Sequence, residues 1–370
     1  MDTLFAGLMS GTSLDGVDAV LASFDSDQRV RVINSEFLPY PKTFREKLLE
    51  LINNPHSDQA FIREIDVELG ELYAKATLKL TAEHQGSQVQ AIGCHGQTIL
   101  HQPDADPPFT WQAGDPKTLA RLTGMTVVSD FRSADMNHGG QGAPLAPAFH
   151  QYAFSSGKEA IAVVNIGGIA NVTYLPADRS EPVIGFDTGP GNTLSDRWVQ
   201  MCKGDSYDKN GSWASSATLN ESLLESFLLD RYFSEPPPKS LDTRYFNVDW
   251  LKRKLDAVTD QGQDTAVIQS TIAAFTADSI WLGIKKWIPN VRRIVLCGGG
   301  AHNLAMVGRL EQITGFEVST SQEFGVSPDD VEACAFAWLA KQRINGFPAN
   351  LPSVTGASQR VLLGSITNPD

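Results

Sequence analysis

The chain is poor in thiols. Cys94, Cys202, Cys297 and Cys334 are its only cysteines in 370 residues, and none forms a CxxC pair or stands at zinc-ligand spacing. So few scattered thiols in a long chain fit a reducing compartment rather than a disulfide scaffold. Basic residues are also in deficit, 30 against 43 acidic ones, which leaves a formal charge of −13. That balance argues against a nucleic-acid partner, which needs a basic footprint on phosphates, and against docking on anionic lipid. No apolar run approaches the roughly 18 residues of a membrane span. The opening Met1-Asp2-Thr3-Leu4 lacks the basic lead and apolar core of a secretory signal, so a cytoplasmic protein is expected. Low-complexity segments are absent, and Pro236-Pro237-Pro238 marks a stiff loop over 234–242.

What is present is enough apolar sequence, 42%, to build a sizeable core. The length suggests two to three domains. Short apolar or alternating runs predict strands over 3–9, 17–24 and 29–37, with Val30, Val32 and Asn34 on one face of the last. Helices are expected over 42–52, and from Ser57 or Asp58 along the stripe Phe61, Ile65, Leu69, Leu72, Ala76, Leu80. Strands over 89–94 and 126–129 and a helix over 145–155 complete this half. The second half restarts with strands over 160–166, 171–175 and 183–186. Helices then cover 193–200, 218–229, 248–255 and 265–286, followed by a strand over 293–296 and a helix over 329–343. Each half runs strand, glycine turn, strand, strand, helices. The pattern predicts a duplicated α/β unit with domains over 1–155 and 156–370.

Several polar segments interrupt this frame. In Ser10-Gly11-Thr12-Ser13-Leu14-Asp15-Gly16-Val17-Asp18, the glycines let backbone N–H groups approach an anion and the hydroxyls add donors. Asp15 or Asp18 can hold hydrated Mg²⁺. An ordinary polar hairpin explains the same residues, and the lysine of GxxxxGK[ST] is missing. Asn165-Ile166-Gly167-Gly168-Ile169-Ala170-Asn171 is a phosphate-facing turn or a plain Gly-Gly hairpin. Gly298-Gly299-Gly300-Ala301-His302-Asn303 follows an apolar strand and suits a backbone passing beneath a ligand, because a purely structural triple glycine has an entropy cost without packing. Asp187, before Gly189-Pro190-Gly191, is a candidate general base, or it or Asn192 caps a helix. Arg132, after Asp130-Phe131, can fork onto a substrate carboxylate or form an internal Asp–Arg pair. His95-Gly96-Gln97-Thr98 falls at a predicted strand end, where His95 either faces a ligand or is satisfied in the core. Glu332 stands among alanines, which suggests close helix approach or a site residue.

Together with Met9, His95-Gly96-Gln97-Thr98, Asp130-Phe131-Arg132, Gly140-Gln141-Gly142-Ala143-Pro144-Leu145 and Asp187-Thr188-Gly189-Pro190-Gly191-Asn192, these motifs resemble the anhydro-N-acetylmuramic acid kinases, in order along nearly the whole chain. The resemblance implies the actin, hexokinase and Hsp70-like ATPase superfamily: a duplicated actin-like (ribonuclease H-like) fold with ATP in an interdomain cleft that closes. It places Gly11, Thr12, Ser13, Asp15, Gly16 and Asp18 in a first phosphate loop and Gly167, Gly168 and Asn171 in a second. Gly298, Gly299, Gly300 and Asn303 would lie against adenosine, and Asp187 would be the catalytic base. Gln97, Thr98, Asp130, Arg132 and Glu332 fall to the sugar. Segments 142–149 and 331–339 would be helices crossing the hinge. One departure matters: Met9 stands where the superfamily usually has Asp, which moves the expected metal role to Asp15 or Asp18. The implied substrates are 1,6-anhydro-N-acetylmuramic acid and ATP with Mg²⁺, and a homodimer is plausible. Rivals are a kinase for another anhydrosugar such as levoglucosan, or a partner-switching ATPase.

Overall fold

Short apolar runs separated by glycine and polar turns make the opening meander. In the computed structural model its strands are β1 (Leu4–Ser10), β2 (Gly16–Phe24) and β3 (Val30–Pro39), paired antiparallel. The structure describes residues 3–11, 13–84, 88–242, 244–258, 264–288 and 290–369. β1 and β2 are buried almost throughout, while β3 turns one face to solvent. Helices Lys42–Asn53 and Gln59–Thr81 follow, the second capped by Asp58, which accepts from the Ala60 N–H at 3.2 Å. Next come β4 (Val89–Gln102), β5 (Phe109–Ala113) and β6 (Val127–Ser129). β4 joins parallel to β1 and β6 parallel to β4, giving the order β3-β2-β1-β4-β6.

The second meander is β7 (Ile161–Ile166), β8 (Ile169–Leu175) and β9 (Ile184–Pro190). To it β10 (Arg293–Cys297) and β11 (Glu317–Thr320) add in parallel, giving β9-β8-β7-β10-β11. One path has thus been taken twice: three antiparallel strands, then two parallel to the first. That is the ribonuclease H-like sheet, and its repetition is the duplicated actin-like fold. The short strand β12 (Ser365–Thr367) pairs antiparallel with β6.

The chain divides into two compact units, Met1–Phe154 with Phe324–Val326 and Asp330–Asp370, and Ser155–Glu323 with Ser327–Asp329. Residues 330–370, which sequence assigns to the second domain, therefore fold with the first unit. Two interactions too distant in sequence to be read locally hold them there: β12 on β6, and the helix Val331–Ile344 on β1 and β4. The expected 145–155 helix runs Ala146–Phe154 in the same unit. The second unit is built around Thr265–Trp287. This helix is long and apolar enough to cross a membrane by length and composition, unlike the sequence expectation, but 72% of its apolar window is buried as core.

A second correction concerns β4. Sequence ends it at Cys94, yet the strand continues to Gln102, so His95 to Thr98 lie inside it. Gly96 takes φ +82°, and the polar second half is then held by β5, with Gln97 opposite both Ser10 and Ala113. The helix Val331–Ile344 rests directly on the glycine pair Gly7–Gly93, which are register partners in β1 and β4. A Cβ on Gly7 would overlap the Ala333 carbonyl oxygen, and one on Gly93 that of Phe336. Either Gly7→Ala or Gly93→Ala should cost about 3 kcal/mol or more of unfolding free energy in urea titrations. The control Gly308→Ala, in the helix Leu304–Thr314 with open space at its Cβ, should gain about 0.5–1 kcal/mol.

Candidate active site

The first turn is pinned from below. Ser10, buried at the end of β1, accepts from the Tyr40 hydroxyl at 2.7 Å and the Tyr73 hydroxyl at 3.1 Å. The Tyr40 N–H donates to the Asp15 carbonyl at 2.8 Å, and Gln97 Nε2 donates to the Gly11 carbonyl at 3.2 Å. Gln97 is only 1% exposed, so its nitrogen supports the turn rather than facing a sugar, and its Oε1 has no partner among the described residues. Ser13 Oγ donates to the exposed Asp15 at 2.7 Å. Asp18 lies in β2 opposite Met9 and Phe37. Thr12 lies outside the described residues. The two glycines differ: a Cβ on Gly16 would strike the Leu38 carbonyl, whereas above Gly11 the nearest atom is Ser13 Oγ at 3.6 Å. No group of three or more His, Cys, Asp or Glu residues that could hold a metal ion occurs among the described residues.

Arg132 is the charged centre of the first unit. Its Nε and Nη2 lie 3.2 and 2.7 Å from His95 Nε2, and Nη1 donates to the Gly142 carbonyl at 2.8 Å. A guanidinium only donates, so His95 Nε2 is the acceptor and the imidazole carries its proton on Nδ1. Burial, then the Arg132 charge, push His95 well below its ordinary value, consistent with a neutral ring. Burial lowers Arg132 to about 10, with Glu332 opposing, so it stays charged at neutral pH. Burial raises the Glu332 carboxyl and Arg132 counters it. Phe336, one helical turn beyond Glu332, packs its ring 4.6 Å from His95 and 5.4 Å from Phe131. His95 is thus a core residue that supports Arg132. The internal Asp–Arg pair does not form, because Asp130 Oδ1 accepts from Ser133 Oγ at 2.6 Å. Thr98, half-buried in β4, lies 3.5 Å from Gln112 Nε2.

In the second unit the Gly-Gly turn is bolted to the helix Asn192–Lys203. The Asn192 N–H donates to the Gly167 carbonyl at 2.8 Å, and its side chain to the Ile166 carbonyl at 3.1 Å. Register aligns Cys297, Asn165, Asn171 and Asp187 across four neighbouring strands. This polar row includes Asn165, the first residue of the segment that sequence reads as a phosphate-facing turn. Its signal was an amide at the end of the apolar run Val163-Val164. Asp187 caps no helix. Its Oδ2 accepts from the Leu241 N–H at 2.8 Å, its own N–H donates to the Lys239 carbonyl at 3.1 Å, and its carbonyl accepts from Tyr232 Oη at 2.7 Å. Oδ1 accepts no hydrogen bond among the described residues. Burial raises this carboxyl to about 6, opposed by the Leu241 N–H and Lys239. Lys239 in turn donates to the Tyr232 carbonyl at 3.0 Å and sits 4.2 Å over its ring.

The triple glycine corrects an expectation, for two of its members have packing reasons. Gly298, at φ +76°, would drive a Cβ into Asn165 Oδ1, and Gly300 into Ile166, while Gly299 has open space to 3.9 Å. Asn303 Oδ1 accepts from the Ala305 and Met306 N–H groups at 3.1 and 3.2 Å, capping Leu304–Thr314. At Gly11, Gly167 and Gly299, by contrast, a Cβ would meet no atom closer than 3.6 Å.

Two ribonuclease H-like units, each with a glycine turn in its opening hairpin, define the actin-like ATPase class. A model of the family "Anhydro-N-acetylmuramic acid kinase" matches residues 3–369. A protein of that name from Coxiella burnetii is 44% identical over 365 residues, covering 98% of this chain and 96% of its own. Its namesakes from Saccharophagus degradans and Haemophilus influenzae are each 44% identical, over 99% of this chain and 99% and 98% of theirs. The chain belongs to the anhydro-N-acetylmuramic acid kinase family.

The raised carboxyl of Asp187 carries a stability signature. The folded state holds its proton up to about pH 6, the unfolded state only to its ordinary 3.8, so stability falls as pH rises between these values. Asp187→Asn should match the parent in unfolding free energy near pH 4 and exceed it by roughly 2–3 kcal/mol at pH 8 in urea titrations.

Proposed function

We propose that the protein is an ATP-dependent kinase that opens 1,6-anhydro-N-acetylmuramic acid with water and phosphorylates O6, giving N-acetylmuramic acid 6-phosphate and ADP. The observation that carries the mechanism is Asp187: a half-buried carboxylate whose Oδ2 is held by the Leu241 N–H and whose proton affinity is raised to about 6. The family relationship supports the substrate. O6 of that sugar is locked in an acetal with C1, so it has no hydroxyl proton for a base to remove. Asp187 takes a proton from water, the resulting hydroxide bonds to C1, and the C1–O6 bond breaks. O6 keeps the electron pair and displaces ADP from the γ-phosphorus. The proton then leaves Asp187 for solvent. The transferred phosphoryl group receives the charge on O6, so no separate general acid is needed.

A Cβ at Gly11 or Gly299 would meet no atom closer than 3.6 Å, which leaves these two backbone stretches room beside a nucleotide, while the Gly167 N–H is held by the Ile169 carbonyl at 3.1 Å and shapes the second turn. Mg²⁺, held mostly by phosphates and water with Asp15 or Asp18, would neutralise phosphate charge. Arg132 receives the lactyl carboxylate. His95 and Gly142 grip it through neutral acceptors, which leaves its charge to Glu332 and the substrate. Thr98, Asp130 and Glu332 complete the sugar side. We place the protein in the cytoplasm of a bacterium that recycles peptidoglycan, as a homodimer.

ADP release should require the anhydro sugar. With it, product mass should rise by one phosphoryl group and one water. Equal release without sugar, or with plain N-acetylmuramic acid, would contradict the coupled reaction, and preferential turnover of levoglucosan would reassign the substrate. Asp187→Asn should keep sugar binding and lower kcat by about 10²–10⁴-fold. kcat of the parent should fall below a single limb near pH 6. Lys239→Met removes a charge that lowers Asp187, so that limb should move to higher pH. Arg132→Ala should raise KM for the lactyl-bearing sugar about tenfold or more, and far less for a lactyl-free anhydro sugar.

A further inference from the structure

Behind Arg132 lies a carboxylate that the proposed chemistry does not use. Asp135 is fully buried in the first unit. Its Oδ1 accepts from Asn350 Nδ2 at 2.7 Å and from Thr355 Oγ1 at 2.8 Å, residues 215 and 220 positions further along the chain. Its Oδ2 accepts from the Gly142 N–H at 2.8 Å. Gly140 packs so tightly there that a Cβ would overlap Oδ2. Main-chain bonds tie the same two segments together: Gln141 N–H to the Thr355 carbonyl at 2.8 Å, and Ser358 N–H to the His138 carbonyl at 2.9 Å. Asn350 is itself fixed, its Oδ1 accepting from the Val361 N–H at 2.7 Å.

Gly142 is the link. Its N–H is held by Asp135, and its carbonyl accepts from Arg132 Nη1. Both ends of one residue are therefore committed, one to the buried carboxylate and one to the guanidinium. A buried charge stabilises a fold no better than an apolar isostere would. What the carboxylate supplies here is directional: three charge-assisted hydrogen bonds that place one carbonyl. His95 holds Arg132 through Nε and Nη2, so without a fixed Gly142 carbonyl Nη1 loses its anchor.

We infer that Asp135 is a positioning residue for anion recognition: it acts through Gly142 on Arg132, and the C-terminal segment 350–361 is part of the apparatus that reads the substrate's carboxylate. The inference rests on the reading of Arg132 as the group that receives that carboxylate. Asp135→Asn in the full chain should raise KM for 1,6-anhydro-N-acetylmuramic acid about tenfold, with KM for ATP changed less than about twofold. Thr355→Val removes one hydroxyl donor and should shift the sugar KM about threefold in the same direction, while Thr355→Ser, which keeps the hydroxyl, should restore it. In an Arg132→Ala background neither Asp135→Asn nor Thr355→Val should add a further rise.

If Asp135→Asn does not fold, the Thr355 pair and its Arg132→Ala combination decide the matter. Equal rises in both KM values, or effects that add to Arg132→Ala, would overturn the positioning role. So would a selective loss in Arg132→Ala with wild-type behaviour in Asp135→Asn and Thr355→Val. If Arg132→Ala itself leaves the sugar KM unchanged, the reading of Arg132 fails and the inference falls with it.

Discussion

The first unit depends on the absence of two methyl groups. Gly7 and Gly93 stand side by side in β1 and β4, and the backbone of the helix Val331–Ile344 rests on them. Side chains ordinarily intervene between a helix and the sheet it packs on. Here carbonyl oxygens of Ala333 and Phe336 occupy the space of the missing Cβ atoms. Such an approach tolerates only small residues on the contacting face, which accounts for Ala333, Ala337 and Ala340. It also sets the height of the helix's first turn. Glu332 comes within electrostatic reach of Arg132, and Phe336 covers His95. The cluster of Arg132, His95 and Glu332 is thus placed by a steric constraint that contains no charge.

In the second unit the same kind of contact aligns a polar row. Gly298 lets the chain leaving β10 pass against Asn165, and Gly191 closes on the Gly167 carbonyl. Without these contacts the turn would not be held against the start of the helix Asn192–Lys203. Glycines in these motifs therefore do two different jobs. Some are filled from above by protein and fix the frame. Others, at Gly11 and Gly299, would bring a Cβ no closer than 3.6 Å to any neighbour.

That distinction marks the limit of what the sequence discloses. The meanders, the long helices and the duplicated order are legible because each rests on a local period: alternation in β3, a stripe in Gln59–Thr81, an apolar run in β7. Asp187 stands out in the sequence as a carboxylate after the apolar run 183–186, although the structure sets it inside β9. The continuation of β4 is not legible, since its polar second half is strand only through pairing with β5. Nor is the return of residues 330–370 to the first unit, which rests on Gly7 meeting a residue more than 300 positions away. The role of each glycine fails for the same reason. Composition shows that a glycine is needed, and only the neighbour shows whether protein or ligand needs it. Sequence likewise offers an internal Asp–Arg pair, but Asp130 takes Ser133 and Asp135 takes the Gly142 N–H, which leaves the guanidinium to His95.

A chain with a net charge of −13 that handles an anionic sugar and a nucleotide meets an electrostatic problem that added lysines would solve crudely. The first turn lacks a lysine, and the Arg132 guanidinium is gripped by neutral acceptors. A protonated imidazole at His95 would place two cations 2.7 Å apart, and a carboxylate in its place would quench Arg132 before any substrate arrived. A buried neutral histidine avoids both, fixing orientation without spending charge. Asp187 follows the complementary rule. Its proton affinity rises because burial disfavours the charged form and not because a second carboxylate crowds it. In both places burial, rather than added charge, tunes the group that is proposed to act.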